Sequence, residues 1–282
     1  MTESTVSQFP PSRRDTALLE SLAARLRAAG CVFAEEEARL LTASATSDGQ
    51  LDALVERRAN GMPLEHLLGW AEFCGLRIGV DTGVFVPRRR TEFLVRQAAL
   101  VLRDSRPPYA PARVARPPVV VDLCCGSGAV GAALAVRAGP VELHASDIDA
   151  AAVRCARRNL LPHGGEVYEG DLYEPLPARL RGRIDVLAVN APYVPSAGIR
   201  TMPPEARLHE PLVSLDGGAD GLDVQRRVAA AAPQWLAPGG HLLVETSLRQ
   251  APLTVDLFLR NGLTARVAGS EELDATVVIG RS

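Results

Sequence analysis

The sequence predicts an α/β protein: a seven-stranded, mostly parallel sheet wound between helices, preceded by a small helical domain. Three observations lead there. From Val119 onward, short runs rich in Val, Ile and Leu alternate with helix-length segments, the pattern of a parallel sheet covered on both faces. Before residue 61 the apolar residues recur at helical spacing, with no strand alternation. The run Ile184-Asp185-Val186-Leu187-Ala188-Val189 reads as a buried strand. It ends in Asn190-Ala191-Pro192-Tyr193, placing polar and aromatic groups where strands of an open sheet meet their ligands.

The chain of 282 residues, 47% hydrophobic and 23% charged, holds one large or two modest domains. No stretch is apolar enough to span a membrane. Residues 1–14 are polar and proline-containing, so they read as a disordered start rather than a signal peptide, with the cytoplasm as the expected location. The five cysteines, Cys31, Cys74, Cys124, Cys125 and Cys155, are odd in number and lack paired metal spacing. They are expected to be buried thiols, with no metal site. All 31 basic residues are arginine, a compositional bias that lowers the weight of any single one. The net charge of -2 conceals a basic stretch over residues 76–118, which fits an acidic partner, RNA or an ordinary solvated surface.

In chain order, Leu19, Leu22 and Leu26 mark one helical face and Ala38 and Leu41 another. Ser47-Asp48-Gly49-Gln50 is a helix start ahead of Leu51, Leu54 and Val55. Residues 15–69 are therefore expected to form a bundle of short helices that persist only when packed together. Residues 70–90 are expected to be a β-hairpin linker, its runs 73–78 and 84–86 split by the turn-forming Asp81-Thr82-Gly83. A helix over 91–102 and a proline-rich loop over 106–118 follow. Next come strand 119–123, helix 127–138, strand 141–146, helix 149–160, strand 166–169 and strand 184–189. Helix 221–236, strand 241–245, helix 250–261 and two final strands, 264–268 and 275–279, complete the series. The last two lie close enough in sequence to pair antiparallel.

The chemistry concentrates at the strand ends. The carboxamide of Asn190 and the carbonyl of Ala191, set ahead of Pro192, suit a planar NH2 group that Tyr193 would cover. A strand that ends by chance in these residues is the competing reading. Upstream, Asp122-Leu123-Cys124-Cys125-Gly126-Ser127-Gly128 runs from a strand into a turn that opens a helix, and its glycines let a ligand approach the backbone. Cys124 stands where a dinucleotide fingerprint has its first glycine. That weakens a dinucleotide reading and leaves a plain tight turn as the alternative. Asp147 ends the next strand about twenty residues on, where a ribose diol is held. Asp171, in Gly170-Asp171-Leu172, follows the third strand, where an acid can accept from an adenine amino group.

This set of residues resembles the class I S-adenosylmethionine-dependent methyltransferases. More narrowly, it is similar to the HemK/PrmC-type protein N5-glutamine methyltransferases, which methylate the glutamine of the Gly-Gly-Gln loop of peptide chain release factors. Residues 63–69, 86–92 and 210–223 also sit where that family has its interdomain signatures. The resemblance implies that S-adenosyl-L-methionine is bound by Asp122, Cys124, Cys125, Gly126, Ser127, Gly128, Asp147, Asp171, Leu172 and Asn190. It implies an acceptor site of Asn190, Ala191, Pro192 and Tyr193, a class I release factor as partner and helical-domain recognition of that factor. A monomer is expected.

Two departures stand out. Ala191 replaces a proline of the family motif but keeps the carbonyl. Arg89 and Arg90, in Pro87-Arg88-Arg89-Arg90-Thr91-Glu92, replace a proline and an acid, which leaves open a paralogue acting on another protein's glutamine. A nucleic-acid amino methyltransferase is the rival class, because the Asn190 motif also suits a flipped adenine or guanine amine. The net charge and the lack of a basic or aromatic-rich module weigh against it. A non-catalytic scaffold would need a broken site, whereas Asp147, Asp171 and Asn190 are all in place. His66, His144, His163, His209 and His241 are scattered and are assigned no chemistry.

Overall fold

The computed structural model describes residues 13–104 and 116–282. The disordered start expected over 1–14 and the loop expected over 106–118 lie for the most part outside the described residues. Contacts divide the chain into two units, Met1–Leu68 and Gly69–Ser282.

The first unit contains α1 (Arg13–Ala28), α2 (Ala34–Ser44), α3 (Asp48–Ala59) and α4 (Leu64–Leu68). Of the residues the helical spacing picks out, Leu22, Leu26, Ala38, Leu41, Leu51, Leu54 and Val55 are buried in its core and Leu19 is partly buried against it; Ala23, Cys31 and Ala34 join them. The Ser47 hydroxyl caps α3 by accepting from the Gln50 amide at 3.2 Å. Arg58 on α3 grips Glu37 on α2 through two hydrogen bonds of 2.6 and 3.1 Å. Losing either partner would leave the other charge buried and unpaired, so the pair constrains how the two helices pack more than it adds stability.

The second unit opens with a hairpin of β1 (Trp70–Phe73) and β2 (Leu76–Gly79). Its turn is Cys74-Gly75, both at positive φ (54° and 76°), the conformation of a primed hairpin turn. The sequence expectation had placed the turn at Asp81-Thr82-Gly83. Those residues bend the chain one step later, and residues 84–86 form no strand although Val84 and Val86 are buried. A cysteine at a left-handed position carries no turn signal, which is why the run was read straight through.

After α5 (Glu92–Asp104) the wound sheet begins. It comprises β3 (Val119–Leu123), β4 (Glu142–Asp147), β5 (Glu166–Glu169), β6 (Ile184–Val189), β7 (Leu236–Thr246), β8 (Thr264–Ser270) and β9 (Ala275–Arg281). The helices among them are α6 (Ala129–Ala138), α7 (Ala150–Leu160), α8 (Pro204–His209), α9 (Asp223–Trp235) and α10 (Ala251–Arg260). The strand order is β5-β4-β3-β6-β7-β9-β8, parallel up to β7, with β9 antiparallel to both of its neighbours. The expected α/β class, seven strands and final antiparallel pair are therefore present. The sequence reading assigned no element between residues 190 and 220, where α8 and short 3-10 turns lie, and it started β7 five residues late.

Strand alternation divides the interior into two layers. Val119, Val121, Leu123, Leu187 and Val189 pack with residues of α9 and α10, while Val120, Val186 and Ala188 pack with α5, α6 and α7. Each fully buried Val or Leu contributes roughly 1.5–3 kcal/mol relative to exposure. From β3 the chain winds outward to β4 and β5, then returns to place β6 on the other side of β3. The carboxyl ends of β3 and β6 thus flank the switch point where such sheets bind ligands. No helix among the described residues is long and apolar enough to cross a membrane. The cysteines form no disulfide among the described residues: Cys31, Cys125 and Cys155 are buried, and Cys74 and Cys124 are half-buried rather than fully buried as expected.

Candidate active site

A cleft of about 1080 Å3, open mouth included, lies at the carboxyl ends of β3, β4 and β6. It brings together Asp122, Cys124, Cys125, Gly126, Ser127, Asp147, Asp171, Leu172, Asn190 and Pro192. Three residues singled out from the sequence lie off its lining. Gly128 caps α6 at φ +78°, where an added Cβ would stand 3.1 Å from Ala156 and Leu160. Ala191 is buried in the core layer beneath β6. The Tyr193 ring, expected over the acceptor, instead sends its hydroxyl to donate to Glu245 Oε1 at 3.3 Å.

The turn after β3 is built from left-handed residues: Cys124 (φ 58°), Gly126 (54°) and Gly128 (78°). Cys124 keeps the conformation of the glycine it stands for, at a strain of about 1–2 kcal/mol. Space over Gly126 is open, with nothing within 4 Å of an added Cβ. The Gly126 amide donates to Asp147 Oδ2 at 2.8 Å and the Asp149 amide to Oδ1 at 2.9 Å. Burial pushes the Asp147 carboxyl up, and these amides pull it back. On β3, Asp122 Oδ2 accepts from the Gly131 amide at 2.8 Å. Burial pushes Asp122 up to about 8, against that amide and with help from Asp147. Burial thus biases Asp122 toward its protonated form. Burial likewise raises the Cys124 and Cys125 thiols well above their ordinary range, so neither is a nucleophile.

Asp171 is held by Arg227 of α9, whose Nη2 donates to its Oδ2 at 2.5 Å. Leu172 sits at φ 49°, and its carbonyl accepts from the Ser146 hydroxyl at 2.8 Å. A left-handed turn under open space, a strand-end carboxylate and an apolar wall that includes Val130 and Leu172 fit a nucleoside-bearing cofactor. Replacing Asp147 with alanine is expected to weaken nucleoside-cofactor binding by on the order of 1.5–3 kcal/mol, the size of a charge-assisted hydrogen bond. Calorimetry with S-adenosylhomocysteine reads this directly, and unchanged affinity would remove Asp147 from the site.

The other end of the cleft is walled by Phe85, Pro87 and Thr91 on one side and by Pro211, Val213 and Ser214 on the other. Glu210 ties the two walls together. Its carboxylate accepts from Arg88 Nη2 at 2.5 and 2.6 Å and from the Val86 amide at 3.2 Å. The Asn190 loop is itself clamped. Gln250 Nε2 donates to the Tyr193 and Asp220 carbonyls at 2.9 and 3.0 Å. Gly221, at φ +80°, passes so close that an added Cβ would fall 2.3 Å from the Tyr193 oxygen. Asn159 of α7 fastens the hairpin to the turn after β3 by donating to the carbonyls of Gly79 and Ser127, both at 2.8 Å.

Periodicity did not single out Phe85, Thr91, Arg227 or Glu245. Phe85 falls in the run 84–86 expected as a strand, and the stretch around Glu210 is marked only by family resemblance. Arg227 is one arginine among 31 basic residues and reads as the solvated face of a helix. The departing Arg89 and Arg90 are exposed on the 3-10 turn that leads into α5.

Comparison with known proteins adds the following. The family described as "Methyltransferase small domain" matches residues 112–202. A release factor glutamine methyltransferase of Geobacter sulfurreducens is 40% identical over 211 residues, 74% of this chain and 69% of that protein. One from Mycolicibacterium smegmatis is 33% identical over 272 residues, covering 90% of this chain and 92% of its own. A 4-amino-L-phenylalanine/4-methylamino-L-phenylalanine methyltransferase of Streptomyces pristinaespiralis is 36% identical over 213 residues, 74% of this chain and 69% of that protein.

Proposed function

The chain belongs to the release factor glutamine methyltransferase family, and from that premise we propose that Asn190 and the Ala191 carbonyl hold the glutamine amide that this enzyme methylates. The reaction is transfer of a methyl group from S-adenosylmethionine to the side-chain nitrogen of a release-factor glutamine. The observation that carries the assignment of the site is that Asn190 and Pro192 share one cleft with the Gly126 turn and Asp147.

Bound S-adenosylmethionine supplies an electrophilic methyl group on a sulfonium sulfur. The Cys124 to Gly128 turn, Asp147 and the Asp171-Leu172 pair hold it, with Asp122 beneath the turn. The rest of the problem falls to the acceptor side. An amide nitrogen is a weak nucleophile because its lone pair is delocalised into the carbonyl. With one N–H given to Asn190 Oδ1 and the other to the Ala191 carbonyl, the nitrogen is fixed in place, and the positive charge it develops meets two oxygens. Phe85, Pro87 and Pro192 exclude water around it, which strengthens both contacts. The C–S bonding pair would depart with S-adenosylhomocysteine, and the methylated nitrogen would give one of its two N–H protons to solvent water as the product leaves, forming a neutral N-methylamide. No side chain with a pKa suited to a general base is required.

The helical unit supplies protein recognition, the enzyme acts as a monomer in the cytoplasm, and nucleic acid is not its substrate. The deciding assay supplies labelled cofactor with purified release factor, with the same factor lacking its loop glutamine, and with a mixture of RNA and DNA. 4-Amino-L-phenylalanine is added as a further acceptor, because one relative carries that substrate in its name. Label is expected in the intact factor alone. Methylation of nucleic acid or of the aryl amine, or equal labelling of both factors, overturns the reading.

A further inference from the structure

One of the two groups assigned to the methyl acceptor, the Ala191 carbonyl, belongs to the main chain, so its aim depends on how firmly residues 190–193 are held. At one end of this loop Asn190 Nδ2 donates to Thr91 Oγ1 at 3.2 Å. At the other end, both hydrogens of a single amide go to main-chain carbonyls: Gln250 Nε2 donates to Tyr193 at 2.9 Å and to Asp220 at 3.0 Å. Gln250 is 8% exposed, stands at the start of α10 and lies outside the cleft lining. The direction of its amide is fixed. The Ser247 hydroxyl accepts from the Gln250 main-chain amide at 3.3 Å and gives its own proton to Gln250 Oε1 at 2.6 Å. The helix that carries Gln250 is braced in turn. Thr254 of α10 donates to Gln225 Oε1 at 2.8 Å, and Gln225 Nε2 donates to Thr246 of β7 at 3.4 Å. Gly221 packs against the same amide, so closely that an added Cβ would fall 2.4 Å from Gln250 Nε2.

We propose that Gln250 is a positioning residue for methyl transfer: its NH2 group holds the Tyr193 carbonyl so that the Ala191 carbonyl and the Asn190 carboxamide stay aimed at the acceptor nitrogen. The clamp rests on the acceptor role given to Asn190 and Ala191 above and adds the group that keeps them aligned. Carbonyl oxygens only accept, so whatever joins two of them has to supply two donors. A glutamine amide does this from one nitrogen. A carboxylate of the same size sets an oxygen against them instead, and an aliphatic chain leaves both unpaired. Ser247 matters for the same reason, because its proton on Oε1 keeps the NH2 end turned toward the carbonyls. The ring of Pro192 locks its φ, so a shift at Tyr193 is passed to the Ala191 peptide with little absorbed between them. A side chain that touches neither substrate nor cofactor thereby sets the geometry of the reacting end of the cleft.

The test uses the full-length enzyme with purified release factor and measures kcat, KM and S-adenosylhomocysteine affinity for each variant. Gln250→Glu is expected to lower kcat by about tenfold or more while KM and cofactor affinity stay within about twofold of wild type, because the acceptor still binds but its amide is misaligned. Ser247→Ala is expected to lower kcat by about threefold, and Ser247→Thr, which keeps the hydroxyl, to regain it. A double-mutant cycle separates positioning of the acceptor loop from general support of the fold. If Gln250 acts through that loop, its effect overlaps with that of Asn190, and Gln250→Glu in an Asn190→Ala background is expected to cost only about threefold or less. An undiminished loss in that background, wild-type turnover in Gln250→Glu or Ser247→Ala, or cofactor affinity that falls in step with turnover in both overturns the clamp alone. A wild-type enzyme that methylates no glutamine overturns the functional reading together with the clamp.

Discussion

Asn190→Ala is expected to lower kcat on release factor by on the order of 10² or more, while binding of S-adenosylhomocysteine stays as in the wild type. The split follows from the position of the residue. Asn190 lies at the end of β6, on the far side of the sheet's switch point from Asp147, and its side chain bonds to Thr91 rather than to any residue of the turn after β3. Alanine there removes a preorganised acceptor for the amide and leaves the Thr91 hydroxyl without its donor. The left-handed turn and the two amides that grip Asp147 are untouched. Single-turnover methylation measured beside calorimetry separates the two effects. A mutant with near-normal turnover, or one that loses cofactor affinity in proportion to its turnover, would take Asn190 out of the acceptor site.

Removal of residues 1–68 is expected to have an effect of similar size on the protein substrate and almost none on the cofactor. The remaining unit, Gly69–Ser282, keeps both core layers and every residue lining the cleft. The helical unit has a core of its own and is expected to bind the protein substrate, and that binding would offset the ordering of a flexible substrate loop. A loss of about 3 kcal/mol of remote binding corresponds to a fall of roughly 10² in kcat/KM. The shortened enzyme is expected to retain cofactor affinity while showing this fall on release factor. Full activity on the factor would assign recognition to the catalytic unit alone.

Which parts of this were legible in the sequence depended on whether local physics decided the outcome. Strands 119–123 and 184–189 were read to the residue, because central strands buried on both faces need largely apolar runs between breakers. That Asp147 and Asn190 line the cleft was legible for a related reason: a polar residue at the end of such a run stands at the carboxyl ends of the strands. The β1–β2 turn was not, since Cys74 at φ 54° is held there by its surroundings and not by its own preference. The start of β7 was hidden by Pro238-Gly239-Gly240, which reads as a loop but is carried by a register shift opposite Ile184 and Val186. Arg227 and Glu245 acquire their roles from partners 56 and 52 positions away, Asp171 and Tyr193, and no local pattern encodes such pairs.

The bond between Arg88 and Glu210 joins residues 122 positions apart. Closing so long a loop costs chain entropy, and the reward comes only once the sheet between them exists. The part of the cleft proposed to receive the acceptor is thus expected to assemble late, and it is held by the polar ties of Glu210 to Arg88 and Val86. The half that holds the cofactor is built on contacts between neighbouring strands at the centre of the sheet. Such an enzyme opens unevenly when stressed. Amide protons in the stretches around Val86 and Pro211 are expected to exchange from a local opening and those of the central strands only from global unfolding, so that under mild stress the enzyme is expected to lose turnover before it loses affinity for S-adenosylhomocysteine.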